Sequence, residues 1–144
     1  MSSRHQILKE YSINLMNIMN LLGSGVTDNS QLDILGNCLF STRYKGTFPS
    51  NETPKLNNSE MCIINTDDKK GVHWCALYKY KNKNYFYDSY NRNFKSFKNW
   101  KNKNWINANK DVDQAYNGES NCGQRSICSL ISFDKHKDKI INII

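Results

Sequence analysis

The segment at residues 72–80 constrains the fold of this 144-residue chain more than any other. Its even-numbered side chains are all apolar or aromatic, at Val72, Trp74, Ala76, Tyr78 and Tyr80. Cys75 and Leu77 make the middle of the other face apolar as well. A strand that is apolar on both faces is usually covered by other elements on both sides. The sequence therefore predicts that residues 72–80 form a central strand of a sheet.

Further apolar runs rich in strand-forming residues flank this segment along the chain, at Met61–Asn65 and at residues 85–90. Glycine, lysine and asparagine residues separate the runs, which is typical of strands joined by turns. Another short strand is predicted at residues 112–116, before a turn at residues 117–118. We expect these strands to form one sheet.

Two helices are predicted before the strands. Residues 5–22 carry apolar side chains at spacings of three and four, and the glycines that follow end the helix. A second helix begins at a cap on Thr27 or Asp28 and stops at Gly36. Residues 38–59 are polar, contain both prolines of the chain and are predicted to be mostly loop.

Helical spacing returns at residues 122–133, after the strands. Helices followed by strands and then a helix indicate an α+β fold, with a central mixed sheet flanked by helices. A length of 144 residues fits one domain over residues 1–144, since single domains commonly have about 100–200 residues.

The five cysteines argue against disulfides and zinc, because their number is odd and no CxxC pair occurs. Reduced thiols are expected, with no metal and no cofactor required by the sequence. No apolar run approaches the ~20 residues of a membrane span, and the first residues lack the pattern of a secretory signal. We expect a soluble intracellular protein whose net charge of +7 favours polyanionic partners.

Cys122 is the main candidate for a reactive thiol. It opens the last predicted helix in the stretch ESNCGQRSICSLI, where Ser120 or Asn121 can cap the helix. A thiol at a helix N-terminus faces unpaired N–H groups and the positive end of the dipole, which favour the nucleophilic thiolate. Gly123 leaves room for a substrate backbone beside the sulfur. The alternative is a buried structural cysteine, as expected for Cys128 on the apolar stripe of the helix.

His73 and Asp88 are the candidate partners of this thiol. His73 lies in GVHWCALYKY and is the one histidine of three in an apolar, structured segment, because His5 and His136 are expected at the surface. Asp88 lies near the end of the next predicted strand, in NYFYDSYN. If the two strands form a hairpin, the carboxylate reaches the imidazole and orients it, as in a nucleophile–base–carboxylate triad. Each residue alone could instead be structural.

Gln114 precedes Cys122 by eight residues. Its amide N–H is a candidate donor to the oxyanion that forms when a thiolate attacks a carbonyl, together with the backbone N–H of Cys122. The alternative is a polar surface residue.

A competing arrangement would use Cys38 as the nucleophile, with Gln31 upstream and His73 downstream. Cys38 would then follow the end of the second predicted helix, where the dipole disfavours a thiolate. The residues after Cys38, STRYKGTFP, are not predicted to form a helix. The sequence therefore favours Cys122.

In its order His73, Asp88, Gln114 and Cys122, the chain resembles the adenovirus maturation protease (adenain) and the related SUMO-deconjugating proteases. The matching blocks are GVHW, the aromatic strand ending in YDS, and a Gln followed by a Cys-Gly pair. Likeness to the adenoviral branch extends upstream through LG, YKGTFP and INT, so that it covers about residues 33–134. The pattern is most similar to maturation proteases of small double-stranded DNA viruses such as virophages.

This resemblance implies an adenain-like cysteine protease that cleaves viral capsid-precursor proteins at small or Gly-containing sites. Trp74 would help to form a narrow tunnel for glycine. DNA or a peptide would serve as activator, and the protein would act in the virion and in the host-cell cytoplasm or viral factory. The chain departs from adenain in having Asp88 where adenain has Glu, and in having no cysteine between Cys75 and Cys122, upstream of the nucleophile, where adenain tethers its peptide.

A basic aromatic loop is predicted at residues 91–105, NRNFKSFKNWKNKNW. Its five basic residues are Arg92, Lys95, Lys98, Lys101 and Lys103. Basic side chains interleaved with aromatic rings suit non-specific DNA contact, with charges on phosphates and rings on bases. The alternative is a solvated lysine-rich surface whose aromatic rings pack inward.

Two further functions are compatible with the sequence. The same triad could serve a protease for ubiquitin-like modifiers or an acyltransferase, because the chemistry is shared up to the acyl-enzyme. A non-enzymatic nucleic-acid-binding protein would account for the net charge and the basic aromatic loop without any catalysis.

Overall fold

The computed structural model describes residues 3–66, 73–114 and 119–144. In these ranges the α-helices are α1 (Arg4–Leu22), α2 (Asn29–Phe40) and α3 (Cys122–His136). The strands are β1 (Tyr44–Phe48), β2 (Met61–Asn65), β3 (Trp74–Tyr80), β4 (Lys83–Tyr87) and β5 (Trp105–Asn107). Short 3-10 turns lie at Ser41–Arg43, Ser50–Glu52, Phe94–Ser96 and Lys137–Ile140.

The five strands form one mixed sheet in the order β1-β2-β3-β4-β5. Strand β3 pairs antiparallel with β2 and β4, while β1 and β5 pair in parallel at the two edges. The predicted α+β class is therefore confirmed, and so is the central position of β3. Val72, the first residue of the predicted central strand, lies outside the described residues.

Strand β3 is covered on both faces, as its apolar pattern predicts. Ala76 and Tyr78 belong to a core that contains buried residues of the three α-helices. Cys75 and Leu77 face a second, smaller core on the other side of the sheet. Loop residues close that second core, among them Trp100, whose side chain is completely buried.

Helix α2 is longer than its predicted extent. Asp28 caps it in a reciprocal capping box with Gln31, as the sequence indicates. The predicted stop at Gly36 is wrong, because the helix continues to Phe40. Gly36 instead accommodates the Tyr44 ring, since a Cβ at this position would lie 2.6 Å from the nearest ring carbon.

Both edge strands differ from the prediction. Strand β1 lies inside residues 38–59, which were predicted to be mostly loop. The predicted strand at residues 112–116 is not seen at its described positions 112–114, and β5 lies earlier in the chain. The rest of that prediction, with the turn at residues 117–118, lies outside the described residues. Short edge strands in parallel pairs depend on partners distant in sequence, so local patterns identify them poorly.

No helix within the three described ranges combines the length and the apolar character that crossing a membrane requires.

Candidate active site

The N-terminus of α3 places Cys122 at the first position of the helix, as the sequence predicts. Asn121 occupies the cap position but makes no side-chain capping bond. Its Oδ1 instead accepts a hydrogen bond of 3.0 Å from Nε of Arg125. The Asn121 side chain therefore does not occupy the backbone N–H groups of the first turn. The backbone N–H of Gly123 donates to the Cys122 thiol.

His73 and Asp88 meet at one end of the β3–β4 hairpin. His73 immediately precedes β3 and Asp88 immediately follows β4, so antiparallel pairing brings the two side chains together. His73 Nε2 lies 2.5 Å from Asp88 Oδ1, and the two residues are 4% and 0% exposed. The predicted hydrogen bond between them is present.

Cys122 completes a hydrogen-bonded chain with this pair. The His73 side chain hydrogen-bonds the thiol of Cys122. Since Nε2 is engaged with Asp88, Nδ1 is the ring nitrogen left to face the sulfur. The backbone N–H of Trp74 also donates to Cys122 Sγ, at 3.4 Å. A thiol, an imidazole and a carboxylate in this order have the geometry that a nucleophile, a base and an orienting group require.

The environment of Cys122 favours its ionised form. Burial raises the pKa of the thiol, but the hydrogen bond and charge of His73 and the N–H groups of Trp74 and Gly123 outweigh burial, so the pKa lies below its ordinary value. The buried Cys62, Cys75 and Cys128 show the opposite, because burial raises the pKa of each thiol. Among these four thiols, Cys122 is the one at which the imidazole and backbone N–H groups outweigh burial.

The pKa values of His73 and Asp88 shift in the directions expected for an ion pair. Burial lowers the pKa of His73, but hydrogen bonds to Asp88 and Cys122 outweigh burial and raise it. Burial raises the pKa of Asp88, but its contacts with His73 and Arg92 hold it below the ordinary carboxyl value. The Tyr90 ring stacks on the imidazole with the centroids 4.5 Å apart, which fixes the ring plane.

Asp88 is held by partners that the sequence analysis did not assign to the site. Asn109 brackets its backbone, donating from Nδ2 to the carbonyl at 2.7 Å and accepting from the N–H at 3.0 Å. Arg92 Nε donates to Asp88 Oδ2 at 2.7 Å. Arg92 lies four residues from Asp88 in a non-helical turn, so the spacing alone did not indicate this pair. Nothing local marks Asn109, which lies 21 residues from Asp88.

A cavity of about 120 Å³ opens beside the thiol. Its wall includes Cys122, His73, Trp74, Thr27 and Gln114. The indole Nε1 of Trp74 donates to the carbonyl of Thr27 at 3.0 Å, which holds the ring in place. A cavity of this volume can take a small side chain or a stretch of backbone.

Gln114 lies in the cavity wall with its amide already engaged. Nε2 donates to Tyr90 Oη at 3.1 Å and to the Glu119 carbonyl at 3.0 Å, while Oε1 accepts from Ser89 Oγ at 2.6 Å. The side chain is 1% exposed, so it is not the surface residue of the alternative prediction. Its amide hydrogens point to these partners rather than standing free toward the thiol.

Gly123 does not make room for a substrate, contrary to the prediction. A Cβ at this position would overlap Thr27 Oγ1 and approach Leu32 Cδ2 to 3.2 Å. Gln124 Nε2 donates to the carbonyls of Gly23 and Gly25, each at 2.8 Å. The missing side chain of Gly123 therefore lets the segment at residues 23–27 pack against α3 and form the cavity wall.

The basic aromatic loop divides into buried rings and exposed cations. The Phe94 and Trp100 rings are buried in the second core, and Phe97 and Trp105 pack against it. This is the inward packing of the alternative prediction, so these rings are not free to stack on bases. Four cations of the loop are exposed, at Lys95, Lys98, Lys101 and Lys103. Arg92 is bound to Asp88 and is therefore not available as a simple phosphate contact.

The competing nucleophile Cys38 lies in the last turn of α2 and is exposed. The helix dipole disfavours a thiolate at this end of a helix. The structure therefore places Cys38 in an environment less suited to nucleophilic chemistry than that of Cys122.

His73, Cys75 and Asp88 carry donor atoms within 4.8 Å of one another, a spacing at which a metal ion could be held. The guanidinium of Arg92 on the Asp88 carboxylate disfavours a further cation at this position. The donor set therefore fits an ion pair better than a metal centre.

Comparison of the chain with protein-family models, curated proteins and solved structures finds no match.

Proposed function

We propose that this chain is a cysteine endopeptidase with an adenain-like fold, in which Cys122 is the nucleophile, His73 the general base and Asp88 the orienting carboxylate. One observation carries the proposal. A thiol at a helix N-terminus, with a pKa below its ordinary value, is hydrogen-bonded to an imidazole that is hydrogen-bonded to a buried carboxylate, and a cavity opens beside the sulfur.

The mechanism begins with the thiolate of Cys122 and the imidazolium of His73. The thiolate attacks the scissile carbonyl carbon, so that a C–S bond forms and the C=O electron pair moves to oxygen. As the intermediate collapses, the C–N bond breaks and His73 gives its proton to the leaving amine. Neutral His73 then removes a proton from water, which attacks the thioester, releases the acid and restores the Cys122–His73 pair.

The oxyanion requires donors in the cavity wall. The backbone N–H of Cys122 is one, at the positive end of the α3 dipole. Gln114 is the second, and it takes this role by exchanging one of its amide bonds, to Tyr90 or to Glu119, for the oxyanion. The small rearrangement is reasonable because catalytic hydrogen bonds often tighten only in complexes with substrate.

The small cavity walled by Trp74 supports substrates with a small or Gly residue next to the scissile bond. The sequence resemblance extends this proposal to capsid-precursor proteins of a virus. Location in the virion and in the host-cell cytoplasm or viral factory is part of the same proposal, as is activation by DNA or by a peptide.

The test is alkylation with limiting iodoacetamide near neutral pH, followed by mass spectrometry of all five cysteines. We expect Cys122 to react fastest, ahead of the exposed Cys38, and to slow in a His73→Ala variant. Uniform labelling, or preference for Cys38, would overturn the assignment of the nucleophile.

Hydrolysis itself is tested with a library of Gly-containing peptides. Cys122→Ala is expected to abolish cleavage and to leave the unfolding midpoint unchanged. Residual activity at the wild-type level would refute the proposal, and products carrying an added amine instead of a free acid would identify an acyltransferase.

A further inference from the structure

The Asp88 carboxylate has a second cationic partner besides the imidazole. His73 Nε2 contacts Oδ1 at 2.5 Å, and Arg92 Nε donates to Oδ2 at 2.7 Å. The Asp88 side chain is 0% exposed, whereas that of Arg92 is 36% exposed. A buried anion thus has one cation that gains and loses a proton and one that is permanently charged.

The guanidinium of Arg92 is fixed by aromatic rings. Its central carbon lies 5.2 Å from the centroid of the Tyr90 ring and 5.0 Å from that of the Phe97 ring, both within the range of cation–π attraction. Tyr90 also stacks on His73, so that one ring contacts both cationic partners of Asp88.

Backbone N–H groups also hold the Asp88 carboxylate. The N–H of Tyr90 donates to Asp88 Oδ1 at 3.1 Å, and the N–H of Arg92 donates to Oδ2 at 3.3 Å. The turn at residues 88–92 is therefore wrapped around the carboxylate. Together these contacts hold the Arg92 side chain in one orientation more firmly than a surface ion pair would.

We propose that Arg92 is a positioning residue of the Cys122–His73–Asp88 site, which keeps Asp88 ionised and aimed at His73 throughout the reaction cycle. This inference rests on the proposed function for its catalytic meaning. When His73 transfers its proton to the leaving amine, Asp88 loses one charged partner while it remains buried. A buried carboxylate without a cation tends to take up a proton, which would change the hydrogen bond to the imidazole. The permanent charge of Arg92 prevents this protonation of Asp88.

The groups that face Asp88 determine the sign of the expected pH effect. They are His73 ahead of β3, the Cys75 thiol on β3 and Arg92 beyond β4, with Cys122 on α3 behind the imidazole. Arg92 is the permanent cation among them. Its removal makes every nearby anion harder to form, so protonation of Asp88 and of Cys122 extends to higher pH. In the profile of Cys122 alkylation rate against pH, the acidic limb should therefore move to higher pH.

The experiment measures the rate of Cys122 alkylation against pH in the wild type, Arg92→Gln, Arg92→Lys and Lys83→Met. Arg92→Gln keeps a hydrogen-bond donor beside Asp88 but has no charge. We expect its acidic limb to move up by about one pH unit. Arg92→Lys should restore most of that shift. Lys83→Met loses one charge at the far end of β4, so its profile should superimpose on that of the wild type.

A purely structural role for Arg92 would give a different pattern. The unfolding midpoint would fall in Arg92→Gln while the limb stayed at its wild-type pH, and this result would overturn the inference. An equal shift in Lys83→Met would also overturn it, because it would reflect net charge alone.

A readout that needs no reactive thiol separates this inference from the proposed function. Nitrogen-15 NMR of the imidazole follows the titration of the His73–Asp88 pair, and we expect Arg92→Gln, but not Lys83→Met, to move it to higher pH. If Cys122 proves unreactive in the wild type, the proposed function fails, and the NMR titration still decides whether Arg92 controls the pair. An unchanged titration in Arg92→Gln would count against Arg92.

Discussion

Nε2 of His73 lies 2.5 Å from Oδ1 of Asp88 although the two residues are 15 positions apart in the sequence. Five register pairs of the β3–β4 hairpin, from Ala76–Tyr87 to Tyr80–Lys83, bring them together. The pairing of central strands therefore sets the geometry of the site, and backbone pairing is least able to shift in the middle of the sheet. Mutations at this contact should change chemistry before they change the fold.

Asp88→Asn tests the orienting carboxylate. An amide can donate to Nε2, which leaves the proton on Nδ1, the ring nitrogen that has to accept the proton of Cys122. We expect peptide cleavage to fall by about 10²–10⁴-fold, on the scale of the corresponding change in other triads. The measurement is kcat with a cleavable peptide. Asp111→Asn, which changes an exposed carboxylate, should cleave at the wild-type rate, and equal losses in both variants would contradict the assignment.

The pH dependence of the wild type follows from two opposite shifts. The pKa of Cys122 lies below the ordinary thiol value and that of His73 above the ordinary imidazole value, and both shifts favour the ion pair. We therefore expect the thiol to titrate below the imidazolium, with the ion pair present between the two. Below the pKa of the thiol, the thiolate is protonated and alkylation slows. Above the pKa of the imidazolium, alkylation continues because the thiolate remains, while cleavage falls because His73 has no proton for the leaving amine.

Parallel measurements of iodoacetamide labelling and peptide hydrolysis from pH 4 to 10 check this expectation. The two profiles should share an acidic limb and separate on the alkaline side. Coincidence of the alkaline limbs would show that His73 does not protonate the leaving group.

Much of this site could be predicted because its members lie at the ends of locally recognisable elements. Strands β2, β3 and β4 have continuous apolar patterns, and a helix was predicted to begin at Cys122. Once β3 and β4 are read as a hairpin, His73 and Asp88 must lie at the same end of it. Periodicity and turn chemistry are sufficient for that inference.

The errors concern contacts between residues distant in sequence. Glycine commonly ends a helix, which is why a stop is predicted at Gly36. Its position inside α2 is explained by the ring of Tyr44, which packs against it. Gly123 contacts Thr27, which belongs to a segment near the other end of the chain. Arg92 was grouped with the basic loop because its neighbours are lysines, although its guanidinium binds Asp88. A one-dimensional pattern does not specify which distant side chain fills a given space.

Gln114→Ala tests the oxyanion donor. We expect kcat for peptide cleavage to fall by about 10²–10³-fold, as for loss of one oxyanion donor in other enzymes. Alkylation of Cys122 should change little, because iodoacetamide forms no oxyanion. Ser89→Ala is the control, since it removes the 2.6 Å bond to Gln114 Oε1 but keeps the donor. If Ser89→Ala and Gln114→Ala lose cleavage equally, Gln114 acts only through packing.

The exposed lysines of the basic aromatic loop predict salt-dependent binding of polyanions. Since the rings of the loop are buried in the second core or pack against it, we expect no added affinity from base stacking. A Lys98→Gln, Lys101→Gln variant should bind duplex DNA more weakly and reduce the slope of log affinity against log salt by about 1.8. Fluorescence anisotropy from low to physiological salt measures both quantities.

The control for this prediction is a Lys9→Gln, Lys83→Gln variant, which carries the same net charge with the loop intact. It should keep the wild-type slope. Affinity that does not respond to salt would rule out the phosphate contacts.

Gly123→Ala tests the close packing between α3 and the segment at residues 23–27. The added methyl group would overlap Thr27 Oγ1 and lie 3.2 Å from Leu32 Cδ2. Overpacking of this kind costs about 1–3 kcal/mol of unfolding free energy. Urea denaturation measures the loss, and alkylation of Cys122 should slow as the first turn of α3 shifts away from His73.

Gly25→Ala provides the matched control, because a Cβ there meets nothing within 4 Å. Its unfolding free energy should stay within about 0.5 kcal/mol of the wild type. Thr27→Ala should relieve the overlap, so the double variant with Gly123→Ala should be more stable than the sum of the single losses. If the two losses simply add, the methyl group and Thr27 do not meet, and the cost of Gly123→Ala has a source other than Thr27.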